Sequence, residues 1–436
     1  MARTLIAALV VLVALLAAGC GGSSEDGPVR FLVFGDPEEI RAYRQVGSDY
    51  EQRFGREVEL VEASDRSDLI ARLSTSIAAG APPDVFLMNY RYYAQFAAKD
   101  AIEPVTDRLD GSEAFAPDDF YPVALGAFRW RGEQLCIPQN VSSLVVYYNR
   151  DLFARYGVPE SEDGWTWNTM VGRAGALTRD ANGRQLVPGD PDAGGATAEV
   201  YGLGVEPSVI RLAPFVWSNG AELVDDAEQP TRFMLDTPAA QEALRSFLDL
   251  RLAYGVVPSD VEVEAVDDET RFANGGLAML LSSRRSTPLF RTITAFDWDV
   301  APLPRWKERA GILHSDAFCI TSGSGRKDAA WRFVEYALGP EGQATLAESG
   351  RTVPSLIDVS RSDAFLDPSS PPRRARVFLD GIPSIRPVPV ISTWPEIEDA
   401  SEPILENGLY LGRPASEVAE RLDRVTRPLF ARGETP

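Results

Sequence analysis

A chain of 436 residues, 44% hydrophobic and 25% charged, has the composition of an ordinary folded protein and enough length for two or more packed lobes; disordered and fibrous classes are excluded. Its 43 basic and 64 acidic residues leave a net charge of −21, which repels a phosphate backbone and excludes nucleic acid as a partner. One histidine, His314, and three cysteines, Cys20, Cys136 and Cys319, are too few ligands for zinc, iron–sulfur or two-histidine sites, so no metal or cofactor is expected.

The chain starts with Arg3, an apolar run from Leu5 to Ala18, and Gly19-Cys20, which is too short to span a bilayer comfortably and reads as a signal peptide over residues 1–19. Leu16-Ala17-Ala18-Gly19-Cys20 resembles the lipobox of bacterial lipoproteins, with Ala17 where the common pattern has leucine. That resemblance implies lipidation at Cys20. Residues 20–28, Cys20-Gly21-Gly22-Ser23-Ser24-Glu25-Asp26-Gly27-Pro28, have the composition of a flexible tether. No later stretch is long and apolar enough to cross a membrane, so the expected location is outside the cell membrane, lipid-anchored to its outer face.

From Val29 the hydrophobic period alternates between two and 3.6. Val29 to Phe34 reads as a buried strand, and Ile40, Tyr43, Val46, Tyr50 and Phe54 recur at helical spacing. Val58 and Leu60 alternate with Glu57 and Glu59 as a strand; Leu69, Leu73 and Ile77 form a helix face ended by Gly80. Asp84 to Met88 is a third strand, followed by a helix carrying Tyr93, Phe96 and Ala97. This βαβαβα order predicts an open, largely parallel sheet whose ligands collect beyond the carboxyl ends of the strands.

A second α/β unit follows. Val141 to Tyr148 is strand-like, Trp165-Thr166-Trp167 precedes a helix near Thr169 to Leu177, and Pro188 to Ala198 is an aperiodic loop. Thr237 as N-cap with Pro238 at the first helical position opens a helix carrying Leu244, Phe247, Leu248 and Leu252. After Pro302-Leu303-Pro304, a strand around Ala317 to Thr321 precedes a helix with Ala330, Phe333, Val334, Ala337 and Leu338 on one stripe, stopped by Gly339-Pro340.

Seven segments in this order carry a resemblance: Gly80-Ala81-Pro82-Pro83-Asp84-Val85, Val146 to Phe153, Trp165-Thr166-Trp167, Trp217 to Glu222, Phe272 to Met279, Ala301-Pro302-Leu303-Pro304 and Ala329 to Tyr336. Together they resemble the extracellular solute-binding proteins of ABC importers, in the carbohydrate-binding group that includes maltose- and glycerol-phosphate-binding proteins. The resemblance implies an α/β, two-lobed fold of the type II periplasmic-binding kind, each lobe a mostly parallel sheet flanked by helices, with the ligand cleft between lobes. One lobe would comprise 29–141 and 305–353, and the other 142–304 and 354–436. It also implies a monomer that takes up a small-molecule carbohydrate by hinge closure and is read by ABC permease subunits in the membrane, a transport role without catalysis.

A sugar cleft needs aromatic plates for C–H faces and fixed polar groups for hydroxyls. Trp217 precedes the turn-prone Ser218-Asn219-Gly220, and Trp394 precedes Pro395 where the maltose-binding branch has a stacking tryptophan; both are candidate plates, with Ser218 and Asn219 as candidate ligand contacts beside the first. Trp165, Trp167 and Trp331 read as packing residues. Asp36 after the first strand and Asn89-Tyr90 after the third are candidate polar contacts, Asp36 having a helix N-cap as its other reading. Arg285, Ser315, Asp316 and Arg351 are expected near the cleft on the resemblance. Cys136 and Cys319 lie in strand-like runs that the resemblance assigns to one lobe; export permits a disulfide between them, and two buried reduced thiols are the other reading.

Other classes fit less of the chain. His314-Ser315-Asp316 has the side chains of a hydrolase triad, but neighbours in an extended segment point to alternate faces. A secreted glycoside-active enzyme would need only two carboxylates, which 64 acids always supply. Ferric-ion capture by Tyr147-Tyr148, a glycerol-phosphate-type ligand in the same transport role, and a receptor lipoprotein without a permease complete the alternatives.

Overall fold

The structure is a computed structural model that describes residues 27–160, 164–189 and 197–436. Cys20 and the signal segment lie outside the described residues, and no helix among those described is long and apolar enough to cross a membrane.

The first sheet is built from β1 (Val29–Val33), β2 (Val58–Glu62), β3 (Val85–Asn89), β4 (Cys136–Pro138) and, from much later in the chain, Asp316–Ile320. β1 pairs in parallel with both β2 and β3, as the βαβ alternation requires, whereas Asp316–Ile320 runs antiparallel between β3 and β4. The connecting helices follow their sequence signals. In α1 (Pro37–Phe54), Asp36 Oδ1 accepts from the Glu39 amide at 2.9 Å, Pro37 occupies the first turn and Gly55 ends the helix at φ 70°. Its buried face is Ile40, Tyr43, Val46 and Tyr50, four of the five residues spaced for it; Phe54, in the last turn, is 52% exposed. α2 (Arg66–Ala78) buries Leu69 and Leu73, and α3 (Tyr90–Ala97) starts directly at the end of β3.

A second sheet holds β5 (Val145–Asn149), flanked by β6 (Met279–Ser282) and β7 (Trp298–Ala301), both antiparallel to it. This corrects the expectation of a mostly parallel sheet in each lobe. All three strands are buried along their length, and a fully buried strand reads as a continuous apolar run whichever way its neighbours point. The long excursion between β5 and β6 brings the chain back in the opposite sense, and the short stretch at Tyr201 to Gly204 bridges in parallel to Leu277 and Leu280. That excursion contains α4 (Trp167–Leu177), α5 (Val209–Ser218) and α6 (Pro238–Leu252), the last capped by Thr237. With Asp316–Ile320 labelled β8, the remaining helices used below are α7 (Lys327–Ala337), α8 (Pro340–Glu348), α9 (Trp394–Leu411) and α10 (Ala415–Arg432). Gly339-Pro340 does stop α7, and the same pair opens α8 with Gly339 as its N-cap.

Between the sheets the chain runs through paired segments. Ser142 and His314 form an antiparallel bridge, as do Asn140 and Pro354, and the Val141 amide donates to the Val353 carbonyl at 2.9 Å. Residues 305–308 stay with the second unit: Arg305 pairs with Thr166, and the Lys307 amide donates to the Ser218 carbonyl at 2.9 Å. The resemblance implied a return to the first unit at 305, whereas the residues just after Pro304 pack with the second, Trp167 and Trp306 lying 5.0 Å apart between ring centroids.

Cores are aromatic on both sides. Phe31 contacts Tyr43, Phe318 and Phe333 beneath the first sheet, and Tyr147 contacts Phe290 and Trp298 beneath the second. Cys136 and Cys319 stand opposite each other across β4 and β8 and are joined by a disulfide.

Candidate functional site

A cavity of about 310 Å³ opens where the ends of the strands meet the crossings. From the first unit it is lined by Glu39, Arg66, Asn89, Arg91, Asp316 and Arg351. From the second it is lined by Ser142, Glu206, Ile210, Arg211, Ser283 and Arg285, with His314 between them and Gln139, Asn140 and Thr352 completing the wall. The strand-end rule accounts for the placement: Asn89 ends β3, Asp316 begins the antiparallel β8 and is its register partner, Arg66 begins α2 beyond β2, and Ser283 follows β6.

The polar groups are held by a bonded network. Asn89 Nδ2 donates to Asp316 Oδ1 at 3.0 Å, and the Asp316 amide donates to Asn140 Oδ1 at 2.7 Å. Arg91, 8% exposed, reaches both oxygens of Glu398 on α9 at 2.6 and 2.5 Å. Arg351 binds Asp36 and Glu39 together. Gly350, at φ 82°, lets the chain reverse after α8 and deliver that side chain, and a Cβ on Gly35 would lie 2.6 Å from Glu39 Oε2. Burial pushes the Glu39 carboxyl up to about 7 against the pull of Arg351, and the Tyr43 hydroxyl sits 2.9 Å from Glu39 Oε1 and 3.1 Å from Gln139 Oε1. Arg211, 4% exposed, pairs with Glu206 at 3.1 Å, and Arg285 with Glu269 at 2.8 Å. Burial, with the positive charges of Arg211, Arg91 and Arg285, holds the His314 imidazole well below its usual pKa.

Of the residues the sequence singled out, Asn89, Arg285, Asp316 and Arg351 line the cavity. Asp36 stands just behind, serving both as the α1 N-cap and as a partner of Arg351. The others are corrected by the structure. Trp217 is 3% exposed and Trp394 is fully buried: the Arg386 guanidinium lies 4.8 Å over the Trp217 ring, and Trp394 packs against Phe233 and Phe430 while its Nε1 donates to Glu398 at 2.7 Å. Ser218 and Asn219 are spent on structure, Ser218 Oγ bonding the Glu308 carbonyl and Asn219 Nδ2 the Ala239 carbonyl. Tyr90 is buried with its hydroxyl accepting from the Val388 amide at 3.2 Å, and Ser315 Oγ donates to the Asn140 carbonyl at 2.7 Å. Tyr90 was chosen for its strand-end position, Trp217, Ser218 and Asn219 for their turn, and Trp394 and Ser315 on the resemblance, but each has found a partner inside the protein. The Tyr147 and Tyr148 hydroxyls are likewise occupied, by Ser283 and Glu160.

Sequence reasoning passed over Arg66, Arg91, Glu206 and Arg211. Arg211 carries a readable signal, a single charge in the apolar run Val209-Ile210-Arg211-Leu212-Ala213, where an unpaired arginine would be costly. Arg91 and Arg66 follow strand ends by the rule that selected Asn89.

The chain belongs to the bacterial extracellular solute-binding protein family, whose model matches residues 36–344. A binding protein of Brucella abortus is 23% identical over 79% of each chain. Among solved structures, an ABC substrate-binding protein of Listeria monocytogenes in complex with cycloalternan superposes with a TM-score of 0.82 at 22% identity, covering 93% of this chain and 99% of that one. An ABC transporter solute-binding protein of Thermotoga lettingae bound with α-D-tagatose gives 0.78 at 19% identity, covering 93% and 100%. These neighbours share the two-lobed type II fold with this chain.

Proposed function

We propose that this protein is the substrate-binding component of an ABC importer and captures a saccharide in the cavity between its two units, which close over it and are then read by the permease. The carrying observation is a polar cavity walled by side chains of both units, with Ser142, His314 and Asn140 bridged at the crossings beside it. A ligand bonded to Asn89 and Asp316 on one side and Arg211 on the other draws the units together, so closure and binding are one equilibrium. The saccharides bound by the Listeria and Thermotoga proteins support the ligand class. A volume of about 310 Å³ lies at the small end of ligand pockets, roughly 300–1,000 Å³, and favours a short saccharide.

In this reading the first unit is 29–141 with the return from about 314 to 353, the second holds the remainder, the protein is monomeric, and Cys20 anchors it outside the cell membrane. Binding without hydrolysis is supported by the state of the lining acids: Glu39 is tied to Arg351, Glu206 to Arg211, and Asp316 to Asn89, leaving no free acid–base pair among the described lining residues. A thermal-shift panel of mono-, di- and oligosaccharides tests the proposal. A cognate sugar at one hundred times its Kd stabilises by about 2.7 kcal/mol; a panel in which no saccharide shifts the melting temperature overturns it.

A further inference from the structure

The lining has two features that a neutral sugar leaves unanswered. Among the described lining residues the one apolar side chain is Ile210, and none is a Trp, Tyr or Phe plate for a C–H face. Its arginines are also unequally satisfied. Arg91, Arg285 and Arg351 are taken up by Glu398, Glu269 and the Asp36–Glu39 pair. Arg211 is different: one nitrogen meets Glu206, while Nε and Nη1 are buried without partners in a side chain 4% exposed. Arg66 pairs with no acid among the described residues; its guanidinium lies over the Phe34 and Tyr92 rings and its buried Nε is also unpartnered. His314 is a third such side chain, its buried Nε2 without a partner. Three side chains that line one cavity, from α2, α5 and the crossing, thus each carry a buried nitrogen without a partner in the protein.

A hydroxyl can accept from such a donor, but it brings a donor of its own and no charge. A carboxylate or phosphate accepts several charge-assisted bonds and supplies the countercharge that the Arg66 guanidinium lacks. We propose that the ligand is an anionic saccharide, a sugar bearing a carboxylate or phosphate group, and that Arg211 and Arg66 hold the anionic group while Asn89 and Asp316 bond the hydroxyls. This rests on the saccharide reading above and narrows it. Arg211, Arg91, Arg285 and Arg66 line the same cavity as the His314 ring.

Calorimetric titration of the full chain in nonionic detergent tests it with matched probes: glucose against glucuronate and glucose 6-phosphate, galactose against galacturonate, and digalacturonate against maltose. The expected result is at least tenfold tighter binding of an acidic member than of its neutral partner; whether uronates or phosphates win identifies the group. Arg211→Gln and Arg66→Gln should each cut that preference by about 10- to 100-fold, the scale of a charge-assisted hydrogen bond, with circular dichroism confirming the fold. Arg66, partly exposed and outside any ion pair, keeps the test valid should the Arg211 variant fail to fold. Neutral sugars binding as tightly as acidic ones overturn the anionic assignment and leave the saccharide reading standing, as does an unchanged preference in folded Arg66→Gln. Binding of neither series overturns both.

Discussion

Ser142 and His314 exchange both backbone hydrogen bonds, at 2.9 and 2.8 Å, where the chain passes between its two sheets. The chain's single histidine is thereby fixed at the crossing with its ring on the cavity wall, close to four arginines. Because burial and those charges hold its folded pKa well below 6.5, the unfolded chain takes up a proton near pH 6.5 that the folded chain refuses. The unfolded state then binds more protons, so this group makes stability fall as pH drops below 6.5. His314→Gln keeps the backbone pair and should lose less melting temperature than wild type between pH 7 and pH 5.5. Equal losses would refute the buried neutral imidazole.

Glu39 works in the opposite sense. Its folded pKa, about 7, is above the ordinary 4.5, so between those values the folded chain holds a proton the unfolded chain has released. Its contribution is fully present below 4.5 and is lost as pH rises through 7. Glu39→Gln should flatten that part of the stability curve by on the order of 1–3 kcal/mol, read from urea midpoints at pH 5 and pH 8. A curve of unchanged slope contradicts the raised carboxyl.

Trp394 and Trp217 are core residues, so their truncation should damage folding more than recognition. Trp394→Ala is expected to cost about 3–5 kcal/mol of stability, the usual range for a large buried aromatic, with a smaller loss for Trp217→Ala, whose ring has Arg386 on one face. Saccharide affinity of whatever fraction folds should stay within about threefold of wild type. A large affinity loss with unchanged melting would return these rings to the cleft.

The Cys136–Cys319 bond closes a segment of 183 residues and ties β4 to β8 at the edge of the first sheet. Replacing both cysteines with alanine should lower stability by about 2–5 kcal/mol. Unfolded, unreduced protein should offer neither thiol to iodoacetamide; alkylation of both would show that the bond does not form.

What was legible in the sequence, and what was not, divides along physical lines. Local signals carried the elements: Thr237-Pro238 opens α6, Gly339-Pro340 parts α7 from α8, and the spacing of Ile40, Tyr43, Val46 and Tyr50 is the buried face of α1. Strand direction in the second sheet was not legible, because Val145–Asn149 is buried along its whole length and its apolar run is the same for either orientation. At the site, the strand-end rule found Asn89, whereas the search for aromatic plates misplaced Trp217 and Trp394. A tryptophan beside a turn looks alike in sequence whether its face meets solvent or, as here, Arg386, Phe233 or Phe430. Arg211 was legible as a lone charge in an apolar helical run, paired with Glu206 five residues earlier, but the search was directed at aromatic plates and strand ends.

The central claim is that a saccharide binds between the two units at Asn89 and Asp316. It is tested most directly by calorimetric titration of wild type and Asp316→Ala with the tightest-binding saccharide of the panel. The account predicts one site per chain in wild type and affinity at least tenfold weaker in the variant, with a melting temperature close to wild type. Superimposable isotherms from two folded proteins would contradict it.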